Sequence, residues 1–262
     1  MRRAPAGADT SRFGYQTVCE APFRGYDGGM NNPARSRSDG GVELQTQRAI
    51  EGVRDMIVRR QLYPGQQIRQ EEVAAVLGMS KSPVREALRA LEMDGLVYHH
   101  PNQGYFTARF SVADLRQIYT MRKALETLIF KALPEFPPEE LDELRAINKA
   151  IDSANAGANV HDVIQLNRQF HFRIFVPSNL NLIVREVERL WQISDSYRSL
   201  YLYDSFGSRQ GEIVAEHDAM IDALVDHDLK RLIKVADTQR SIGEERILAM
   251  LGNVYPEPVG AV

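Results

Sequence analysis

Lys81, Arg85 and Arg89 are spaced four residues apart, so on one helix they form a single cationic stripe. Ser80 and Ser82 add two hydroxyls at the start of that stripe. Long cations beside small hydroxyls are the groups that meet phosphates and base edges in a DNA major groove. Val84, Leu88 and Leu91 fall on a different stripe, and Glu86, Glu92 and Asp94 are expected to turn aside from the basic line. A little further on, His99, His100, Asn102 and Gln103 offer donors, and Gly104 permits close backbone approach. Charge alone leaves open a plain solvated face. The order of the surrounding elements favours DNA.

A second polar set sits inside apolar stripes of the back half. Arg122 is flanked by Leu115, Ile118, Leu125 and Ile129, and Arg198 shares a stripe with Trp191, Ser194 and Tyr201. Asn167 lies among Val163, Ile164, Phe170 and Ile174, with His171 one turn on. His217 is surrounded by Ile213, Val214, Met220 and Ile221, and Gln239 by Val235, Ala236 and Ile242. A guanidinium turned into a bundle is costly unless an anion meets it. Singly, each such residue reads as a satisfied core group, a buried Arg pairing with a nearby Glu. Together they point to one interior that binds a small anion, Arg122 and Arg198 clamping it while amides and imidazoles donate hydrogen bonds.

The elements that must position these residues follow from periodicity. The 262 residues are 44% hydrophobic and 26% charged, with a net charge of −3. That is ordinary globular composition, with no overall basic surplus. Cys19 is the single cysteine, which excludes an internal disulfide or CxxC site and fits a reducing cytoplasm. No apolar run approaches the ~20 residues of a membrane span, and no secretory signal is read, so no membrane partner is expected. Net charge is +1 over residues 1–43, +2 over 44–110 and −6 over 111–262. Residues 1–43, rich in Gly, Ser, Asn and Arg, read as a disordered tail, and Met30 offers a second possible start.

Order is expected from Leu44. A helix carrying Ala49, Val53 and Ile57 ends before the Pro64-Gly65 turn. A short helix follows with Val73, Val76 and Leu77, stopped by Gly78. A third starts at Ser80 or Ser82, and Leu96–Tyr98 with Tyr105–Thr107 then form a hairpin. Three helices and a hairpin over 44–110 make a winged helix-turn-helix. Ser111 with Asp114 opens an all-α bundle over 111–252, and 253–262 is read as a C-terminal tail.

The run Ile68 to Val97, containing Leu-Gly-Met-Ser-Lys-Ser-Pro-Val-Arg-Glu-Ala-Leu, resembles the GntR-family operator-binding domain. Tyr119-Thr-Met-Arg-Lys-Ala-Leu-Glu126, Asn167 to His171, Asn179 to Leu182 and Glu216-His217 resemble the FCD effector domain of its FadR-like subgroup. The resemblance implies DNA contacts at Ser80, Lys81, Ser82 and Arg85 and at the wing around Gly104. Glu71 stands where some members carry a basic phosphate contact, so Arg69 is the candidate substitute. Lys81 replaces the usual Arg, which weakens bidentate guanine recognition there. Many FCD members hold a divalent metal on an Asp and three His. The matching positions here are Asn167, His171, His217 and Gln239, two of them neutral amides. An amide oxygen supplies only a dipole. The expectation is therefore no required cofactor, with zinc possible but not preferred.

These readings converge on a ligand-responsive cytoplasmic transcription regulator. It would bind double-stranded operator DNA as a homodimer and sense a carboxylate metabolite. The alternatives are the same regulator with a weak metal site, a protein-interaction module, or a metal-dependent helical enzyme using His171 and His217. The enzyme reading lacks a nucleophile–base pair and leaves the front domain unexplained.

Overall fold

The computed structural model describes residues 39–205 and 211–254. The first helix, α1, runs Asp39–Val58, beginning inside the stretch read as a tail. Gly40 and Gly41 weaken a helix without forbidding it, since each glycine costs only about 1 kcal/mol relative to alanine. Ala49, Val53 and Ile57 are buried along it, as their spacing predicts.

Next come α2 (Gln70–Leu77) and α3 (Lys81–Met93), joined by the turn at Gly78. Gly78 has φ +64°, and its N–H reaches back to close the last turn of α2. Val84, Ala87, Leu88 and Leu91 form the buried face of α3. Each leucine buried in this way contributes roughly 1.5–3 kcal/mol. Strands β2 (Val97–His100) and β3 (Gly104–Thr107) pair antiparallel, with Val97 opposite Thr107 and His100 opposite Gly104. An unforeseen two-residue strand, β1 (Gln67–Ile68), adds to the other edge of β3, giving the order β1-β3-β2.

The helical bundle starts at α4 (Val112–Lys131) behind the expected capping box. The Asp114 N–H donates to Ser111 Oγ at 3.1 Å, and the Ser111 N–H donates to Asp114 Oδ2 at 3.0 Å. Helix α5 (Pro138–Ala156) opens on the Pro137-Pro138 pair, and α6 (Val160–Phe175) passes through a short 3-10 turn to Asn179 at φ +58°. Three more helices complete it: α7 (Asn181–Ser205), α8 (Glu212–Val225) and α9 (Leu229–Val254). The tail read at 253–262 overlaps the end of α9, and its residues from 255 on lie outside the described residues.

Two cores result. One lies within the bundle around Phe130, Phe170, Phe175, Trp191 and Met220. The other crosses from the winged domain into the bundle, packing Val53, Leu88 and Leu91 in one cluster with Leu115, Ile118, Leu190, Tyr197 and Ile247. The Phe110 N–H also donates to the Tyr197 hydroxyl at 2.6 Å, tying the linker between β3 and α4 to α7.

Candidate functional site

The structure brings the predicted front set together on one exposed surface. Ser80, Lys81, Ser82, Arg85 and Arg89 are all exposed, and Ser80 precedes α3 without its side chain capping the helix. Its hydroxyl therefore stays available. The wing places His100, Asn102 and Gln103 at an exposed tip. Gly104 has φ +90°, and a Cβ there would meet nothing within 4 Å, so glycine is required by the backbone rather than by space. Tyr98 stacks on Phe106 at 5.4 Å, with His100 edge-on to both.

One expectation about this surface is corrected. Glu86 does not turn aside: it pairs with Arg89 at 3.1 Å and with Arg85 at 3.5 Å. At i+1 from Arg85 and i−3 from Arg89 it lies between them, and long cations bend readily toward a carboxylate. Lys81 pairs with Glu71 across the turn, and Arg69 with Glu72 at 3.1 Å. Hydrogen bonding by Lys81 holds the Glu71 carboxyl below its ordinary value. Each cation of the stripe thus carries a solvent-exposed carboxylate partner.

The back set divides into two. Arg122 is consumed by its surroundings. Its Nε donates to Glu126 Oε1 at 2.9 Å and its Nη1 to Ser194 Oγ at 2.9 Å, while its guanidinium lies 4.2 Å from the Trp191 ring centre. Glu126 also accepts from Trp191 Nε1 at 2.8 Å and from Arg240 at 2.6 and 3.0 Å. Burial works to raise the Glu126 pKa, but Arg122 and Arg240 outweigh it and hold the carboxyl below its ordinary value. The sequence reading placed Glu126 only within a motif and missed Arg240 altogether. Arg240 sits in the polar run Asp237-Thr-Gln-Arg-Ser241 of α9, so no local signal set it apart.

The second group is buried and incompletely bonded. Asn167 is 1% exposed, and neither amide atom has a hydrogen-bond partner. His171 Nδ1 and His217 Nε2 also lack one. The two imidazole centres lie 5.2 Å apart, and His217 stacks on Phe170. Asn148, another residue the sequence reading missed, donates to Val214 O at 3.0 Å and to Asp218 at 2.8 Å. Its oxygen therefore faces His217 Nδ1 at 3.1 Å, which puts the ring proton on Nδ1 and leaves a lone pair on Nε2. Burial presses His171 well below its ordinary value, aided by Arg198, Arg122 and Arg240, against a side-chain hydrogen bond with Gln239. Burial does the same to His217, with His171 and Arg198 contributing. Both rings are neutral at neutral pH. Arg198 is 19% exposed and meets Asp195 at 3.7 Å, beyond hydrogen-bonding length. The side chain of Tyr201, read beside Arg198, lies outside the described residues.

Residues 45–106 match the family model "Bacterial regulatory proteins, gntR family", and residues 117–237 match the FCD domain. The chain therefore carries a gntR-family domain followed by an FCD domain. Its relatives include the HTH-type transcriptional regulator YdhC of Bacillus subtilis, 31% identical over 123 residues, covering 45% of this chain and 54% of that protein. The HTH-type transcriptional regulator McbR of Escherichia coli is 29% identical over 131 residues, covering 50% of this chain and 59% of that one. The chain thus spans little more than half the length of these two relatives. Among solved structures, E. coli McbR/YncC superposes with a TM-score of 0.69 at 23% identity over 80% of this chain and 98% of that one. A GntR transcriptional regulator from Rhodococcus sp. RHA1 gives 0.66 at 22%, covering 79% and 98%. At those identities the likeness is one of fold, a winged helix followed by a helical FCD bundle. Among the described residues no helix is long and apolar enough to cross a membrane.

Proposed function

We propose that this GntR-family chain is a DNA-binding transcription regulator, and not an enzyme, controlled by a small carboxylate anion held in its bundle. The observation that carries the anion is the buried set Asn167, His171 and His217 beside Arg198, in which both Asn167 amide atoms, His171 Nδ1 and His217 Nε2 lack partners. Unsatisfied buried polar groups cost about 1–3 kcal/mol each, so such a cluster is stable only if something completes it. Arg198 supplies the counter-charge. Arg122, already bonded to Glu126 and Ser194, shapes the wall and adds to the positive potential instead of forming half of a clamp. The lone pair on His217 Nε2 accepts a hydrogen bond, where the sequence reading had the imidazoles donating. A carboxylate that also carries a hydroxyl satisfies both demands.

The same residues do not fit a resident divalent ion. Asn167, His171, His217 and Gln239 contain no carboxylate, and three arginines already oppose positive charge at His171. Glu216 borders the set, yet burial raises its pKa against the Gln239 hydrogen bond and Arg198, which weakens it as an anionic ligand. Among the described residues no group of three or more His, Cys, Asp or Glu is gathered as a metal site. Elemental analysis of purified protein is expected to show well under one zinc per chain. Stoichiometric zinc surviving dialysis overturns the donor argument.

On the DNA side, α3 enters the major groove with Ser80, Lys81, Ser82 and Arg85 leading, while the wing tip reaches the adjacent backbone. A two-fold homodimer sets two such helices about 34 Å apart on a palindromic site. The anion acts by favouring one arrangement of the two heads over another. Selection of bound duplexes from a random pool, repeated with mono-, di- and hydroxycarboxylic acids, tests both halves together. A palindromic consensus whose recovery changes with one acid is the expected result. No enrichment under any condition refutes the regulator, and enrichment indifferent to every acid refutes the anion.

A further inference from the structure

Two charged side chains with unused bonding capacity, one buried and one half-buried, lie between the buried polar set of the bundle and the reading helix. Asp195 on α7 is the first. Its side chain is 5% exposed, its Oδ1 has no hydrogen-bond partner, and two guanidiniums stand just outside bonding length. Arg198 is 3.7 Å from Oδ1, and Arg168 on α6 is 3.6 Å from Oδ2. A buried carboxylate placed this way gains by closing on either arginine, and the balance between them is easily tipped.

Arg54 on α1 is the second. It pairs with Asp94, the residue after α3, at 2.7 Å, while its buried Nε has no partner. Arg168 and Glu188 are among its electrostatic neighbours. Arg168 joins the two ends, since its Nη2 holds Glu188 at 2.9 Å while Nη1 faces Asp195. Arg189 of α7 also donates to the Asp94 carbonyl at 3.4 Å, so Asp94 is fixed from both the winged domain and the bundle.

We propose that Asp195 and Arg168 are positioning residues of an ion-pair relay that carries occupancy of the bundle pocket to the C-terminal end of α3. The proposal rests on the anion reading only for what engages Arg198. An anion there draws its guanidinium away from Asp195. The buried carboxylate then closes on Arg168, which loosens its grip on Glu188. Glu188 takes up the unused Nε of Arg54, and the Arg54–Asp94 pair weakens. No covalent change is involved, and the reading helix ends in a different setting.

The test needs no identified effector, because Arg198→Met removes the same partner from Asp195 that an anion would. Amide hydrogen exchange is measured over residues 94–96, whose N–H groups bond to the last turn of α3. Arg198→Met in the full chain is expected to speed exchange there at least fivefold. In an Asp195→Asn background the same substitution should change it less than twofold. Arg168→Gln alone should reproduce the faster exchange and abolish any further effect of Arg198→Met, which keeps the test open if Asp195→Asn fails to fold. A purely structural role gives additive changes, with loss of thermal stability spread through the bundle. Equal effects of Arg198→Met in every folded background, or none in any, overturn the relay. Affinity for a selected duplex is measured on the same proteins. A wild type that binds no duplex refutes the regulator reading while the exchange result still decides the relay.

Discussion

The winged domain and the bundle handle polar side chains in opposite ways. On the surface proposed to read DNA each cation of the stripe is exposed and already partnered by a carboxylate, as in Lys81 with Glu71 or Arg89 with Glu86. Inside the bundle the Asn167 amide, His171 Nδ1 and His217 Nε2 are buried and lack partners. Surface pairs in water exchange partners at little cost, because Coulomb energy there is small and screened. Buried groups have no water to fall back on. That contrast suits the proposed roles, a first surface that trades carboxylates for phosphates and a second that holds out for a guest. Glu126 is a third case, a buried carboxylate completely satisfied by two arginines and a tryptophan.

The largest effect should come from breaking that satisfied centre. Glu126→Ala leaves Arg122 and Arg240 buried without their anion and is expected to cost about 3–5 kcal/mol, read by denaturant unfolding. A loss below about 1 kcal/mol would place the two arginines in contact with something other than Glu126.

Next is the reading helix. Arg85→Ala is expected to weaken binding to a selected duplex by roughly 1–3 kcal/mol if it reaches a base, with unfolding unchanged. Equal affinity for mutant and wild type at two salt concentrations removes Arg85 from the interface.

The neutral imidazoles set a pH dependence. Their folded pKa values lie below the ordinary 6.5, so between those values and 6.5 the unfolded chain binds protons that the folded chain refuses. Stability from this source is complete above about pH 6.5 and is lost as pH falls, by up to about 1.4 kcal/mol per unit for each ring. His171→Gln with His217→Gln should flatten that slope. An unchanged slope in the double variant assigns the dependence elsewhere, His161 being the next imidazole depressed by burial.

The smallest effect belongs to the surface. Glu86→Gln is expected to leave stability within about 0.5 kcal/mol of wild type. Duplex affinity should rise, because Arg85 and Arg89 lose a competitor. A fall in affinity would mean that Glu86 orients the arginines for DNA instead of competing for them.

What was legible in the chain follows from range. The buried face of α3 and the Ser111–Asp114 box depend on residues within one or two turns, so spacing alone placed them. Strand β1 has two residues, too few to carry a period, and exists only because β3 offers it an edge. The pairing of Glu126 with Arg240 joins positions 114 apart, and nothing local marks it. Glu86 failed for a different reason. Helix geometry put it off the basic line, but side-chain reach brought its carboxylate back onto it.

Tyr197 and the shared core around it have a mechanical consequence. Because Leu88 and Leu91 of the reading helix belong to one apolar cluster with Leu190 and Ile247, the winged domain is not a bead on a string. A tethered head would answer a signal by gaining or losing freedom. This one is bolted down, and the Phe110–Tyr197 bond fastens the only covalent crossing between the halves. On the proposed reading, a guest inside the bundle would reach DNA by changing how the winged domain seats on this shared core, so the signal would be written chiefly in the separation of two reading helices.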